Sequence, residues 1–107
     1  MEHEEYVERV LTVAEQVPWG RVTTYGVIAE VVGVGGPRQV GRVMALHGGS
    51  VPWWRVVRAD GTLPDAHARE ARQHYLAEST PFRSSGRVDM AAALWWPEVT
   101  DEAVGDL

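Results

Sequence analysis

The sequence contains neither cysteine nor lysine. Without cysteine there are no disulfides, thiolate metal sites or iron–sulfur clusters, and every mechanism that needs a thiolate nucleophile is excluded. No apolar run approaches the roughly 20 residues of a membrane-spanning helix. The acidic segment 1–5 lacks the basic and then apolar pattern of a signal peptide. We therefore expect a soluble, cytoplasmic protein with no membrane partner.

Local patterns predict a mainly helical chain of one domain. Of its 107 residues, 45% are hydrophobic, which suffices for a single small core. The helices are predicted from the spacing of apolar residues. The start of the second is indicated by a cap at Thr23 or Thr24, and the start of the third by Pro37. Helices are predicted over residues 2–17, 25–32, 37–47 and 66–78, a last short helix is predicted to follow a cap at Asp89 and to run through Trp95, and a short strand is predicted over 55–58. We expect one domain over residues 1–97 and an acidic, flexible tail over 98–107.

The net charge of −5 conceals an uneven distribution. Residues 1–15 carry −4, residues 16–59 carry +4 and residues 60–107 carry −5. All ten basic residues are arginine, which reflects either genomic composition or a need for side chains that stack and form forked hydrogen bonds. Because the local field decides whether a polyanion docks, the basic middle of the chain is compatible with a nucleic-acid partner.

The predicted helix 37–47 follows a glycine-rich turn, and with helix 25–32 it has the outline of a helix-turn-helix. At 100° per residue, Arg38, Arg42 and Ala45 share one face. The opposite face is apolar and consists of Val40, Val43, Met44 and His47. A small residue beside arginines would let the helix approach a nucleic-acid backbone closely, whereas an ordinary solvated surface helix would show the same periodicity.

Three ordered segments together resemble one known family. They are residues 18–29 (PWGRVTTYGVIA), residues 37–41 (PRQVG) and residues 52–57 (PWWRVV). The segments resemble motifs of the O6-alkylguanine-DNA alkyltransferases, in which the last one reads Pro-Cys-His-Arg-Val. Trp53 stands at the cysteine position, which marks the alkyltransferase-like proteins, the non-enzymatic branch. Trp54 departs from the histidine that this branch usually keeps.

The resemblance implies a mainly α, winged-helix-like helix-turn-helix domain that binds DNA in the minor groove. Arg38 matches the arginine finger that enters the base stack, and Tyr25 matches the tyrosine that helps to rotate a phosphate. The predicted DNA contacts are Tyr25, Arg38, Gln39, Gly41, Arg42 and Ala45, and the predicted lesion pocket consists of Val51, Pro52 and Trp53. Arg58 is a further candidate phosphate contact.

The resemblance also suggests roles for residues around the pocket. It implies that Arg55 braces the active-site loop and that Glu78, the partner of the family's missing histidine, is a packing relic. Trp54 is expected in the core. Residues 61–63 match a Gly-Thr-[Ile/Leu] turn, after which this branch carries a base-contacting basic residue. That residue has no clean counterpart here, and Arg69 is the candidate.

Dealkylation in this family requires a cysteine thiolate with a histidine base, and both positions are tryptophan here. An indole nitrogen has no available basic lone pair, so we expect no enzymatic activity. No cofactor or metal site is expected, and His67 and His74 are interpreted as surface or core histidines. By resemblance, a monomer would bind duplex DNA containing O6-alkylguanine, flip the damaged base and flag it for nucleotide excision repair.

Two other functions fit the residues. A transcription regulator of the winged-helix type would bind one undamaged DNA sequence. A protein-interaction module would keep the fold and bind no DNA. Because the expected partner is DNA, we expect the cytoplasmic protein to be associated with the nucleoid when it is bound to DNA.

Overall fold

Five α-helices and two short strands form the chain in the computed structural model, which describes residues 1–97. The helices are α1 (His3–Gln16), α2 (Tyr25–Val32), α3 (Pro37–His47), α4 (Asp65–Glu78) and α5 (Met90–Ala93). The strands are β1 (Thr23–Thr24) and β2 (Val56–Val57), and 3-10 turns cover Gly48–Ser50 and Trp53–Arg55. The predicted acidic tail, 98–107, lies outside the described residues.

The helix-turn-helix is present at the predicted positions. The Thr24 hydroxyl accepts a 3.0 Å hydrogen bond from the amide of Val27 and caps α2. Gly33 ends α2 in the left-handed region (φ 85°), which glycine adopts without the strain of a side chain. Pro37 occupies the first turn of α3. These local signals explain why the bounds of both helices agree with the prediction.

Two elements differ from the prediction. The segment predicted as strand 55–58 is divided between a 3-10 turn and β2, which pairs in parallel with β1 through Thr23 and Val56. The last helix begins after Asp89 as predicted, but it is only Met90–Ala93 and does not run through Trp95. It ends early because the amide of Trp95 donates a 2.7 Å hydrogen bond to the carbonyl of Val22 and so leaves the helical pattern.

The buried side chains form two clusters. The larger cluster lies among α1, α2 and α3, and the smaller one lies beneath α4 and α5. Trp53 packs against both clusters from the loop that joins them. Within residues 1–97, no helix combines the length and apolar character needed to cross a membrane.

Candidate nucleic-acid interface

Helix α3 presents the face that its periodicity predicts. Arg38, Arg42 and Ala45 are exposed, as is Gln39. The apolar residues Val40, Val43 and Met44 are buried against α1 and α2. His47 shares the apolar face by its helical angle, but it is exposed, because it is the last residue of the helix and the core does not reach it.

A cavity of about 270 Å³ opens beside the C-terminal half of α3. Four predicted functional residues line it: Tyr25, Gly41, Ala45 and Trp53. Three of them were expected to contact DNA and the fourth to form a pocket, so half of the predicted DNA contacts and one of the three predicted pocket residues meet at this cavity.

Two predicted pocket residues do not line this cavity. Val51 is 5% exposed and packs into the larger core cluster instead. Pro52 immediately precedes the 3-10 turn that carries Trp53 and lies outside the cavity lining. The extended backbone at Val51 and the turn after Pro52 aim neighbouring side chains in different directions, so only Trp53 reaches the cavity.

Sequence reasoning missed most of the residues that line the cavity. The unpredicted lining residues are Met44, Gly48, Gly49, Leu63, Pro64, His67 and Glu70. His67 and Glu70 are three apart on α4 and therefore share a face, but no local pattern indicates that this face meets α3. Arg69, the candidate base contact, lines a different concavity, because its position in α4 turns it away from the cavity.

Trp53 stands in a cluster of aromatic rings. Its ring centroid lies 5.5 Å from that of His67, 5.9 Å from that of His74 and 5.6 Å from that of Trp54. Aromatic pairs prefer such edge-on and offset arrangements, which contribute about 0.5–1.5 kcal/mol beyond the area that they bury. The indole wall of the cavity is therefore held in place by α4.

Trp54 is half-buried and serves as a hydrogen-bond donor, a different role from the core position expected for it. Its ring stacks on His74 with centroids 3.6 Å apart and planes within 5°. Its indole N–H donates a 2.8 Å hydrogen bond to Oε2 of Glu78. The indole must keep its N–H near an acceptor, which explains why the ring lies at the edge of the core.

Glu78 is 4% exposed and organises the base of the site, so the prediction that it is a packing relic is wrong. Arg55 donates to both of its carboxylate oxygens, at 3.0 and 2.8 Å, and the amide of Gly20 donates to Oε1 at 3.1 Å. Burial alone would raise the pKa of Glu78, but the hydrogen bonds from Arg55, Gly20 and Trp54 outweigh it and the pKa is lowered. A buried carboxylate persists only when it is paired in this way.

Arg55 has the bracing role that was predicted for it. Besides its fork on Glu78, it donates a 3.0 Å hydrogen bond to the carbonyl of Val17 at the end of α1. Tyr75 completes the arrangement, since its hydroxyl donates a 2.7 Å hydrogen bond to the carbonyl of Trp54. The loop that carries Trp53 is thus tied to α1 and to α4.

Tyr25 lines the cavity and is close enough to Arg58 to be influenced by its positive charge. It is half-buried at the start of α2, and this burial raises the pKa of its hydroxyl, while the guanidinium of Arg58 acts in the opposite direction. The hydroxyl therefore stays protonated at neutral pH and can donate a hydrogen bond.

An arginine-bearing helix of a helix-turn-helix, set beside a cavity with an indole wall, defines a domain of the alkyltransferase DNA-binding class. Residues 5–80 match the family model described as "6-O-methylguanine DNA methyltransferase, DNA binding domain". The DNA base-flipping protein of Escherichia coli K12 is 37% identical over 103 residues, which cover 89% of this chain and 78% of the relative. Alkyltransferase-like protein 1 of Schizosaccharomyces pombe is 41% identical over 78 residues, 68% of this chain and 72% of that protein.

The chain belongs to the alkyltransferase-like branch of this family. Among solved structures, S. pombe Atl1 in complex with damaged DNA containing O6-carboxymethylguanine superposes with a TM-score of 0.78 at 30% identity. The match covers 91% of this chain and all of the other. The predicted family and the mainly helical fold class are both confirmed.

Proposed function

We propose that this protein recognises DNA damage: it binds duplex DNA through the minor groove, flips an O6-alkylguanine into the cavity beside Trp53, and retains the base without removing the alkyl group. Its relatives support the proposal, since one is named a base-flipping protein and another is solved on damaged DNA. The further step, in which the marked lesion passes to nucleotide excision repair, is part of the same proposal.

The observation that carries this function is the shared face of α3. Arg38 and Arg42 are exposed on the helix, and Gly41 and Ala45, on the same side, line the cavity. Gly41 and Ala45 have little or no side chain, so a DNA backbone can come close to the helix there. A base that leaves the duplex at Arg38 then has only a short path to the cavity.

The energetics favour a damaged base over a normal one. Extruding a base costs a few kcal/mol, and least where pairing is already disrupted, as it is when an O6-alkyl group removes the N1 proton of guanine. Contact with the Trp53 ring offsets part of this cost, since base–aromatic stacking contributes about 1–3 kcal/mol. Each buried CH₂ of the adduct adds roughly 0.8 kcal/mol.

Retention without repair follows from the chemistry of the two tryptophans. Alkyl transfer needs a thiolate to attack the alkyl carbon, and the sequence has no cysteine. The N–H of Trp54 is a donor that is already engaged with Glu78, so it cannot act as a base. The proposed role is therefore recognition, with the alkyl group left on guanine.

The direct test is a titration of fluorescent duplexes, with and without one O6-methylguanine, followed by mass spectrometry of the recovered DNA. We expect tighter binding to the modified duplex and no loss of methyl. Arg38→Ala should weaken lesion binding markedly, whereas Arg9→Ala, on the exposed face of α1, should not. Equal affinity for both duplexes would refute lesion recognition.

The same titration separates the alternatives. A transcription regulator would prefer one undamaged sequence and ignore the methyl group. An interaction module would show no salt-dependent DNA binding at all. We expect one protein per lesion, as suits a monomer, and this can be read from the stoichiometric end point.

The hand-over to excision repair has a genetic test. A protein that only holds a lesion protects a cell through the enzymes that later remove it. Deleting this protein should therefore sensitise excision-proficient cells to alkylating agents and add nothing in cells that lack excision. Added sensitivity in the second background would contradict the hand-over.

A further inference from the structure

A second concavity lies on the other side of α4 from the base cavity. It is formed by residues of α4, the segment after β2 and the loop around residue 86. Four guanidinium groups line it, from Arg58, Arg69, Arg72 and Arg87. We call this surface the arginine groove. Three of its arginines come from residues 60–107, the segment with the most negative net charge, so folding creates a basic surface that the charge distribution along the sequence conceals.

Few carboxylates oppose these arginines. Asp65 lines the groove and Asp60 lies beside Arg58 and Arg87, where its pKa is lowered first by the hydrogen bonds from Thr62 and further by these arginines. Within residues 1–97, four guanidinium groups thus face two carboxylates, so this part of the chain gives the groove a net positive charge. The guanidinium of Arg72 is also held over the ring of Phe82, 5.3 Å from its centroid.

The groove borders the base cavity. Leu63 lines both, and α4 forms the wall between them: His67 and Glu70 face the cavity, while Arg69 and Arg72 face the groove. Arg58 also acts electrostatically on Tyr25, which lines the cavity. A strand whose nucleotide enters the cavity therefore has a positively charged surface directly beyond the rim.

We propose that the arginine groove binds backbone phosphates of the same DNA duplex, beside the nucleotide that enters the cavity. Guanidinium groups suit this ligand because their paired N–H donors match the oxygens of a phosphate. Phosphate contacts fix the register of the duplex and carry no sequence information. The inference rests on the proposed function only in requiring that DNA docks on α3; it does not require a preference for damage.

The test compares Arg69→Gln and Arg87→Gln with a control, Arg9→Gln. All three arginines are exposed, and each substitution removes one positive charge, but Arg9 lies on α1 and pairs with Glu5. Binding to plain and O6-methylguanine duplexes is measured over a range of salt concentrations. Thermal unfolding checks that each variant is folded.

We expect each groove variant to bind both duplexes about three- to ten-fold more weakly at low salt. The magnitude of the slope of log K against log[salt] should fall by about 0.9 for each phosphate that the variant no longer neutralises. The ratio of affinities for the two duplexes should stay the same. The control should retain both the affinity and the slope of the parent protein.

Slopes equal to that of the parent in both groove variants would overturn the proposal, as would an equal loss in the control. The outcome is separate from that for lesion recognition. Reduced slopes without any preference for O6-methylguanine would support the groove and refute the damage-binding function. A preference for O6-methylguanine with unchanged slopes would support the damage-binding function and refute the groove. An absence of DNA binding would refute the groove and the damage-binding function alike.

Discussion

The indole N–H of Trp54 donates its hydrogen bond to the same carboxylate, Glu78, that pairs with Arg55 in a fork. By resemblance, a histidine would occupy the Trp54 position and would supply both a donor and a base. Tryptophan keeps the donor and lacks the base. The hydrogen-bonded link between the loop that carries Trp53 and α4 is therefore kept without a basic group at this position.

Trp54→Phe tests the value of this donor. The ring can still stack on His74, but Oε2 of Glu78 loses one hydrogen bond. Because hydrogen bonds to charged groups contribute about 1.5–3 kcal/mol, we expect urea unfolding to show a loss in this range. Trp54→His, which restores a donor, should lose less. A phenylalanine variant as stable as the parent would contradict the assignment.

Glu78→Gln should change how stability depends on pH. The pKa of Glu78 is lowered in the folded protein, so its contribution is complete above the unfolded pKa, near 4.5, and is lost as the pH falls through the lower folded value. Removing one partner of a buried pair costs about 3–5 kcal/mol, and glutamine, which keeps one acceptor, should be near the lower end.

The measurement for Glu78→Gln is the free energy of unfolding at pH 7 and at pH 3.5. The difference in the free energy of unfolding between variant and parent should be large at pH 7 and smaller at pH 3.5. Because other carboxyls titrate in both proteins alike, the difference isolates Glu78. A difference that does not change with pH would show that its ionised form contributes nothing.

Trp53→Phe tests the wall of the cavity. A smaller ring offers less area to a flipped base, so we expect several-fold weaker binding to an O6-methylguanine duplex and little change with undamaged DNA. Trp19→Phe is the matched control, because Trp19 is 68% exposed and lies outside the cavity lining. Anisotropy titrations give both affinities. An equal loss of affinity for the two duplexes would show that Trp53 contributes to DNA binding in general and not to recognition of the lesion.

Glu70 should set a preference for uncharged adducts. Within the described part of the chain, it is the one acidic side chain that lines the cavity. A carboxymethyl adduct would bring a second negative charge near it, so O6-carboxymethylguanine should bind about three- to five-fold more weakly than a neutral adduct of similar length. Glu70→Gln should remove the difference. An unchanged ratio in the variant would place the discrimination elsewhere.

Sequence reasoning succeeded where the signal is local. Thr24, Gly33 and Pro37 mark the bounds of α2 and α3, and the spacing of Arg38 and Arg42 places both on the exposed face. The role of Trp53 as a wall came from family resemblance, and the structure places that residue in the cavity lining.

The parts that sequence reasoning missed depend on contacts between distant segments. His67 and Glu70 reach the cavity only because α4 packs against the loop that carries Trp53. Glu78 looked dispensable because its usual partner is absent, and nothing local to Glu78 indicates that Gly20 and Arg55 converge on it. Pairing across such separations is decided by the packing of the whole domain.

Two adjacent glycines that line the cavity, Gly48 and Gly49, leave different amounts of room for a side chain. A Cβ at Gly48 would come within 3.1 Å of Cε of Met44, whereas nothing lies within 4 Å of a Cβ at Gly49. Because Gly49 lines the cavity and a Cβ there meets no neighbouring atom, we expect successively larger side chains at this position to narrow the cavity in steps. Substitutions at this single position could thus give a series of variants that select alkylated guanines by the length of their adducts.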